Sequence, residues 1–325
     1  MGGGWIAGGA EPDLPVDSGA VKVAALAGGV GGAKLLVGLQ NLAGSDLTAI
    51  VNTGDDAELY GVHVSPDLDI VTYWLAGIAD YERGWGIEAD TFHLVAALEH
   101  LGEEAWFRLG DRDFATCLAR SRRLRAGMTL SEVSGELTRS LGVVARVLPM
   151  SDDPVRTVVE TSDGRRLEFQ EYFVKERNRP EVAAVSFDGL EDAKPAPRVL
   201  DALADADLVI LCPSNPFLSI APITSLMGVE ETLAAHPRVI AVSPIVRGAA
   251  LKGPADRLLE SLGAGVGASA VARLYAGFCD VFVVDASDPE ELALVEELGM
   301  RAVALPSIMR DHRASERFAS SLLKL

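Results

Sequence analysis

Short apolar runs recur along the chain at 21–27, 47–52, 207–212, 238–243, 280–285 and 301–305, with turn residues after them, and predict buried strands. Helical patterns separate several of these runs, an alternation that builds a largely parallel sheet. The middle of the chain breaks the rhythm. Residues 69–79, 91–101, 113–126 and 129–141 carry helical periodicity, and Thr129 with Glu132 has the spacing of a capping box. A helical insertion over about 69–145 is expected. After it, "RTVVETSDGRRLEFQEYF" alternates apolar and polar positions on both sides of Asp163-Gly164, a pair suited to a tight hairpin turn. The predicted fold class is therefore α/β: one Rossmann-like domain over 21–325, with a mostly parallel sheet, an inserted helical subdomain and a β-hairpin. Residues 1–20 lack both the basic start and the apolar core of a signal peptide and read as a flexible N-terminal extension.

Open α/β sheets bind ligands at the carboxyl ends of their strands, and the polar punctuation of this chain falls there. After the first run, Gly28, Gly29, Gly31 and Gly32 form the bend before a helix from Lys34 to Leu42. Glycine permits positive φ and carries no Cβ, so an anion can approach the backbone N–H groups at the positive end of that helix. A turn that only packs the helix on the sheet uses the same residues. The other strand ends read "NTGDD", "CPSNP" and "SPIVRG". Convergence of these turns makes one crevice, whereas independent surface turns share their composition.

Charge sharpens the picture. Asp55, Asp56, Asp67 and Asp69 crowd a strand end and the loop after it, and carboxylates so placed repel one another unless a hard cation such as Mg²⁺ is present. A helix cap or turn explains any single one of them. Arg108 stands where the insertion returns toward the sheet and can meet a ligand's polar edge, with an ion pair to Asp111 or Glu104 as the alternative. Arg120, Arg122, Arg123 and Arg125 spread around a helix and read as its solvated surface. Tyr73, Trp74, Trp85 and Trp106 offer stacking faces for a flat ligand but read more simply as core.

Composition narrows the function classes. A hydrophobic fraction of 49% without a membrane-length apolar run predicts a soluble protein with a substantial core. A net charge of −18 argues against nucleic acid or an anionic membrane as partner. Cys117, Cys212 and Cys279 form no CxxC, which fits a reducing compartment, and the cytoplasm is the expected location. The glycine run matches neither the dinucleotide fingerprint nor the P-loop, because Lys34 replaces the last glycine of the first and is preceded by Ala33 and followed by Leu35 in the second. No kinase or H-E-x-x-H zinc pattern is present.

Taken in order, "GGVGGAKLL", "VNTGDDAELYGVHVSPDLD", "RGWGIEADTF", "LGDRDFAT", "LPMSDDPV" and "PSNPFLSI" resemble the phospholactate or phosphoenolpyruvate transferases of deazaflavin coenzyme F420 biosynthesis, over nearly all of residues 21–325. The resemblance implies a Mg²⁺-dependent enzyme. It would join the deazaflavin precursor FO to a phosphorylated three-carbon acid, taken from its diphosphoguanosine conjugate, and release GMP. On the matching positions it implies metal and catalysis at Asp55 and Asp67, FO contacts at Asp69 and Arg108, and nucleotide contacts at Gly28, Gly29, Gly31, Ser214 and Asn215. A homodimer is also implied. Two other classes compete: a non-catalytic nucleotide-sugar-binding regulator from a related family sharing the glycine loop, and a nicotinamide-dependent oxidoreductase, which the broken fingerprint disfavours.

Overall fold

Strand β1 (Val23–Ala27) is buried along its whole length, as a strand covered by helices on both faces must be. Its side chains alternate as period-two geometry requires: Val23, Ala25 and Ala27 enter one core layer, Ala24 and Leu26 the other. With it, β2 (Leu47–Val51), β3 (Arg146–Pro149), β4 (Leu208–Leu211), β5 (Val239–Val242), β6 (Val281–Asp285) and β7 (Arg301–Leu305) form a sheet of order β7-β6-β5-β4-β1-β2-β3. Every pairing in it is parallel. The computed structural model describes residues 21–325, and the predicted extension 1–20 lies outside them. All six predicted strands are present. The seventh, β3, escapes the periodicity because it is four residues long, starts on an exposed arginine and ends on a proline, which only an edge strand tolerates.

The chain runs outward from β1 through β2 to β3, then returns to the centre and runs the other way from β4 to β7. The order therefore reverses between β1 and β4, and the crevice of such a sheet opens there. Helix α1 (Gly29–Ala43) leaves β1 through Gly28. It starts earlier than the expected Lys34, so Gly29, Gly31 and Gly32 belong to its first turn and not to a separate bend. The C-terminal helix His312–Leu322 lies so close to α1 that a methyl at Gly38 would overlap the backbone of Ser315.

The insertion opens with an antiparallel ribbon, Ala57–Leu59 with Val62–Val64. Helices α2 (Pro66–Leu75), α3 (His93–His100), α4 (Asp111–Arg125) and α5 (Leu130–Ser140) follow. The capping box at Thr129 and Glu132 is formed in both directions. Pro66 begins α2, ahead of the helical pattern expected from residue 69, so Asp67 as well as Asp69 sits in its first turn. Arg122 and Arg125 are exposed as expected. Arg120 is not: it is 2% exposed, a correction to the reading of that arginine group as surface. The predicted hairpin pairs Arg156–Thr161 with Arg166–Glu168, and a third strand, Val182–Asp188, adds to its other edge. Among the described residues no helix is long and apolar enough to cross a membrane.

Candidate active site

The glycine run and the turn after β4 meet at the sheet's switch point. Ser214 Oγ accepts from the Gly28 amide at 3.1 Å and donates to the Gly28 carbonyl at 2.7 Å, tying the two strand ends together. Asn215 Oδ1 accepts from the amides of Phe217 and Leu218. Its side-chain NH₂ is buried without an acceptor, which is a donor left for a ligand. A methyl at Gly28 would overlap Asp67 Oδ2 and Ser219, and one at Gly31 would overlap the Pro213 carbonyl. Chain packing on chain thus requires glycine at both positions. Gly29 takes φ +63°, where side chains are strained.

An anion already stands at the start of α1, and the protein supplies it. Asp67 Oδ1 accepts from the Gly29 amide at 2.7 Å, a placement that the helix dipole favours. Asp67 Oδ2 accepts from Asn52 Nδ2 at 2.9 Å and from Ser219 Oγ at 3.4 Å. Asn52 also donates to Asp55 Oδ1 at 3.3 Å, and Gln170 Nε2 donates to Asp55 Oδ2 at 3.3 Å. Asp56 accepts from Ser65 Oγ and faces His63 Nε2 at 2.8 Å. Asn52, Gln170 and Ser219 were not singled out from sequence. Asn52 lies within the quoted "NTGDD", but Gln170 comes from the hairpin segment, which no local pattern ties to a strand end 115 residues away.

Of the three buried carboxylates here, Asp55 and Asp67 share the Asn52 amide as donor, while Asp56 is held by the Ser65 hydroxyl and His63. Burial, reinforced by the charges of Asp67 and Asp56, raises the Asp55 carboxyl well above the usual carboxylate range. Burial likewise pushes Asp67 up to about 6, against the hydrogen bonds from Asn52 and the Gly29 amide. A set of hard oxygen donors with surplus negative charge suits Mg²⁺, which takes one or two carboxylates and completes its shell with water and substrate oxygens.

Asp69 looks the other way. Its carboxylate is ion-paired with the Arg120 guanidinium, both groups buried, and Arg120 also donates to the His63 carbonyl at 3.3 Å. Nearby, Asp113 accepts from Tyr73 Oη at 2.8 Å. None of the hydrogen bonds made by Asp69 reaches Asp55, Asp56 or Asp67. Arg108 is exposed and stacks on Phe92, its guanidinium 4.6 Å from the ring centre, and it forms no ion pair among the described residues, so the alternative pairing with Asp111 or Glu104 is not made. Tyr73 and Trp74 are core residues. Trp85 and Trp106 are half-buried beneath Arg83 and Lys175.

Burial, then the charge of Asp69, pushes the Asp113 carboxyl up to about 7. The folded protein thus holds a proton there that the unfolded chain releases near pH 4. Stability from this group is complete below about pH 4 and is lost as pH rises toward 7. Asp113→Asn keeps an oxygen for Tyr73 and cannot ionise. We expect its melting temperature relative to the parent to rise between about pH 4 and 7 and then level off, by the equivalent of a few kcal/mol at about 1.4 kcal/mol per tenfold change in proton affinity. A pH-independent difference in thermal scans would refute the assignment.

An open parallel sheet that brings a glycine turn, an unpaired amide donor and buried carboxylates to its switch point belongs with the α/β proteins that carry their site in the crevice at the carboxyl ends of the strands. Comparison with known proteins gives the family. Residues 23–309 match the family described as 2-phospho-L-lactate transferase CofD, and the chain belongs to it. A phosphoenolpyruvate transferase from Kitasatospora aureofaciens is 42% identical over 313 residues, covering 94% of this chain and 98% of the relative. A 2-phospho-L-lactate transferase from Methanosarcina acetivorans is 41% identical over 301 residues, covering 92% and 97%. A crystal structure of a UPF0052 family protein from Bacillus halodurans superposes with a TM-score of 0.64 at 17% identity, covering 93% of this chain and 98% of that one. The last likeness establishes the fold alone. The family resemblance read from the sequence motifs holds, and the protein is a transferase of this family.

Proposed function

We propose that the protein transfers a phospholactyl or phosphoenolpyruvyl group from its diphosphoguanosine conjugate to the terminal ribityl hydroxyl of FO, giving coenzyme F420-0 or its dehydro form and GMP. The observation that supports this reading best is the juxtaposition of the α1 glycine turn with the buried carboxylates Asp55 and Asp67. In the proposed reaction the hydroxyl oxygen bonds to the phosphorus that carries the three-carbon acid. The bond from that phosphorus to the bridging oxygen breaks, GMP leaves with that oxygen, and the hydroxyl loses its proton. Positioning and electrostatic stabilisation supply most of the catalysis in such transfers.

Asp55 and Asp67 would hold Mg²⁺, which when bound offsets the negative charge on the diphosphate. Asn52 and Gln170 orient the two carboxylates. Gly28, Gly29, Gly31, Ser214 and the unpaired Asn215 amide would receive the guanosine diphosphate portion, which at the Gly28 and Gly29 amides would take the place of Ser214 Oγ and the Asp67 carboxylate. Arg108, exposed above Phe92, is free to meet the polar edge of FO. Asp69 would need to leave Arg120 to do the same, so in this reading it acts by fixing the start of α2.

Purified protein given Mg²⁺, FO and each of the lactyl, enolpyruvyl and glyceryl conjugates in turn should release GMP and form the matching deazaflavin product in equal amounts by mass spectrometry. Absence of product with all three donors, where one of the relatives above turns over, would overturn the proposal. Tight nucleotide binding without turnover would favour the regulator instead.

A further inference from the structure

In a chain with 47 acidic and 29 basic residues, a lysine has carboxylates in ample supply. Lys34 and Lys252 nevertheless form no ion pair among the described residues. Backbone carbonyls hold them instead. Lys34, on α1 just after the glycines, donates to the Met309 carbonyl at 3.2 Å and lies 5.7 Å from the Trp74 ring centre. Lys252 donates to the Arg83 carbonyl at 3.1 Å. Trp74 joins the two: its Nε1–H donates to the Gly84 carbonyl at 3.1 Å, and a methyl at Gly84 would press on Val30 of the glycine run at 3.2 Å and on the Lys252 ammonium at 2.5 Å. Four separate stretches of chain, around residues 30–34, 83–84, 252 and 309, thus bring two cations to the start of α1.

The two ammonium groups feel each other: burial, then the charge of Lys252, lowers the proton affinity of Lys34. Like charges held close, with only neutral carbonyls as partners, cost free energy that a bound anion would return. An ammonium acts on phosphate as a compact point charge.

We propose that Lys34 and Lys252 form a cationic clasp beside the glycine run that binds a phosphate group of the incoming nucleotide conjugate. The inference rests on reading the crevice as a diphosphate site, and its test separates the two. Calorimetric titration of the full-length protein with GDP and with inorganic diphosphate should show at least tenfold weaker binding of both by Lys252→Ala, and most of the affinity retained by Lys252→Arg. Lys34→Gln, which removes the charge but keeps a polar end, should weaken both ligands in the same direction. Lys252 is exposed, so Lys252→Ala should melt with the parent, and it decides the question if Lys34→Gln folds poorly. Unchanged affinity for both ligands in Lys252→Ala overturns the clasp, as does failure of the parent to bind either. Parent binding of inorganic diphosphate that the variants lose, without binding of GDP, upholds the clasp and refutes the nucleotide reading.

Discussion

Arg120→Ala is expected to lower the melting temperature by on the order of 10 °C. The guanidinium and Asp69 are both buried, and removing one member of such a pair leaves an uncompensated charge, at a cost of about 3–5 kcal/mol. At roughly 2–4 °C per kcal/mol for a chain somewhat smaller than this one, that converts to the stated shift. The loss should fall mostly on the contact between α2 and α4, because Arg120 is the link from α4 to Asp69 and to the His63 carbonyl. The double substitution Asp69→Leu with Arg120→Met removes both charges and should recover most of the stability. Differential scanning calorimetry of the parent, single and double variants checks this. A single-variant loss below about 1 kcal/mol would place the pair with solvated surface bridges.

Asp67→Asn should reduce turnover at saturating Mg²⁺ by at least about 100-fold, the scale of losing one preorganised electrostatic partner. Its oxygen can still accept from the Gly29 amide, so α1 keeps its start. The new NH₂ would face the Asn52 NH₂ that now donates to Asp67 at 2.9 Å, and that bond is lost. Stability should change little, because the lost hydrogen bond, about 1 kcal/mol, opposes the relief of no longer burying a charge. The effect should therefore appear in kcat from GMP release and in the Mg²⁺ dependence, with the melting temperature nearly kept. Unchanged kcat would remove Asp67 from the machinery.

Much of this architecture was written in local patterns. Apolar runs flanked by turn residues marked six of the seven central strands, and Thr129 with Glu132 marked the start of α5. Strand ends pointed to Gly28, Ser214, Asn215 and Asp55, and the switch point does bring their segments together. What periodicity could not supply was the identity of partners across the fold. The arginines of α4 looked alike on a helical wheel; only the packing of α2 against α4 singles out Arg120. Gln170 reaches Asp55 from a small sheet whose position over the crevice is a tertiary fact. Lys34 mattered in the sequence only for spoiling two familiar motifs, and its role emerges once residues 84, 252 and 309 stand beside it.

The intimate seat of Gly38 on Ser315 carries a consequence for biosynthesis. During translation the glycine turn emerges early, but the helix that braces α1 emerges only after β7 has been made. Until then α1 presents an uncovered oily flank to the folding machinery of the cell.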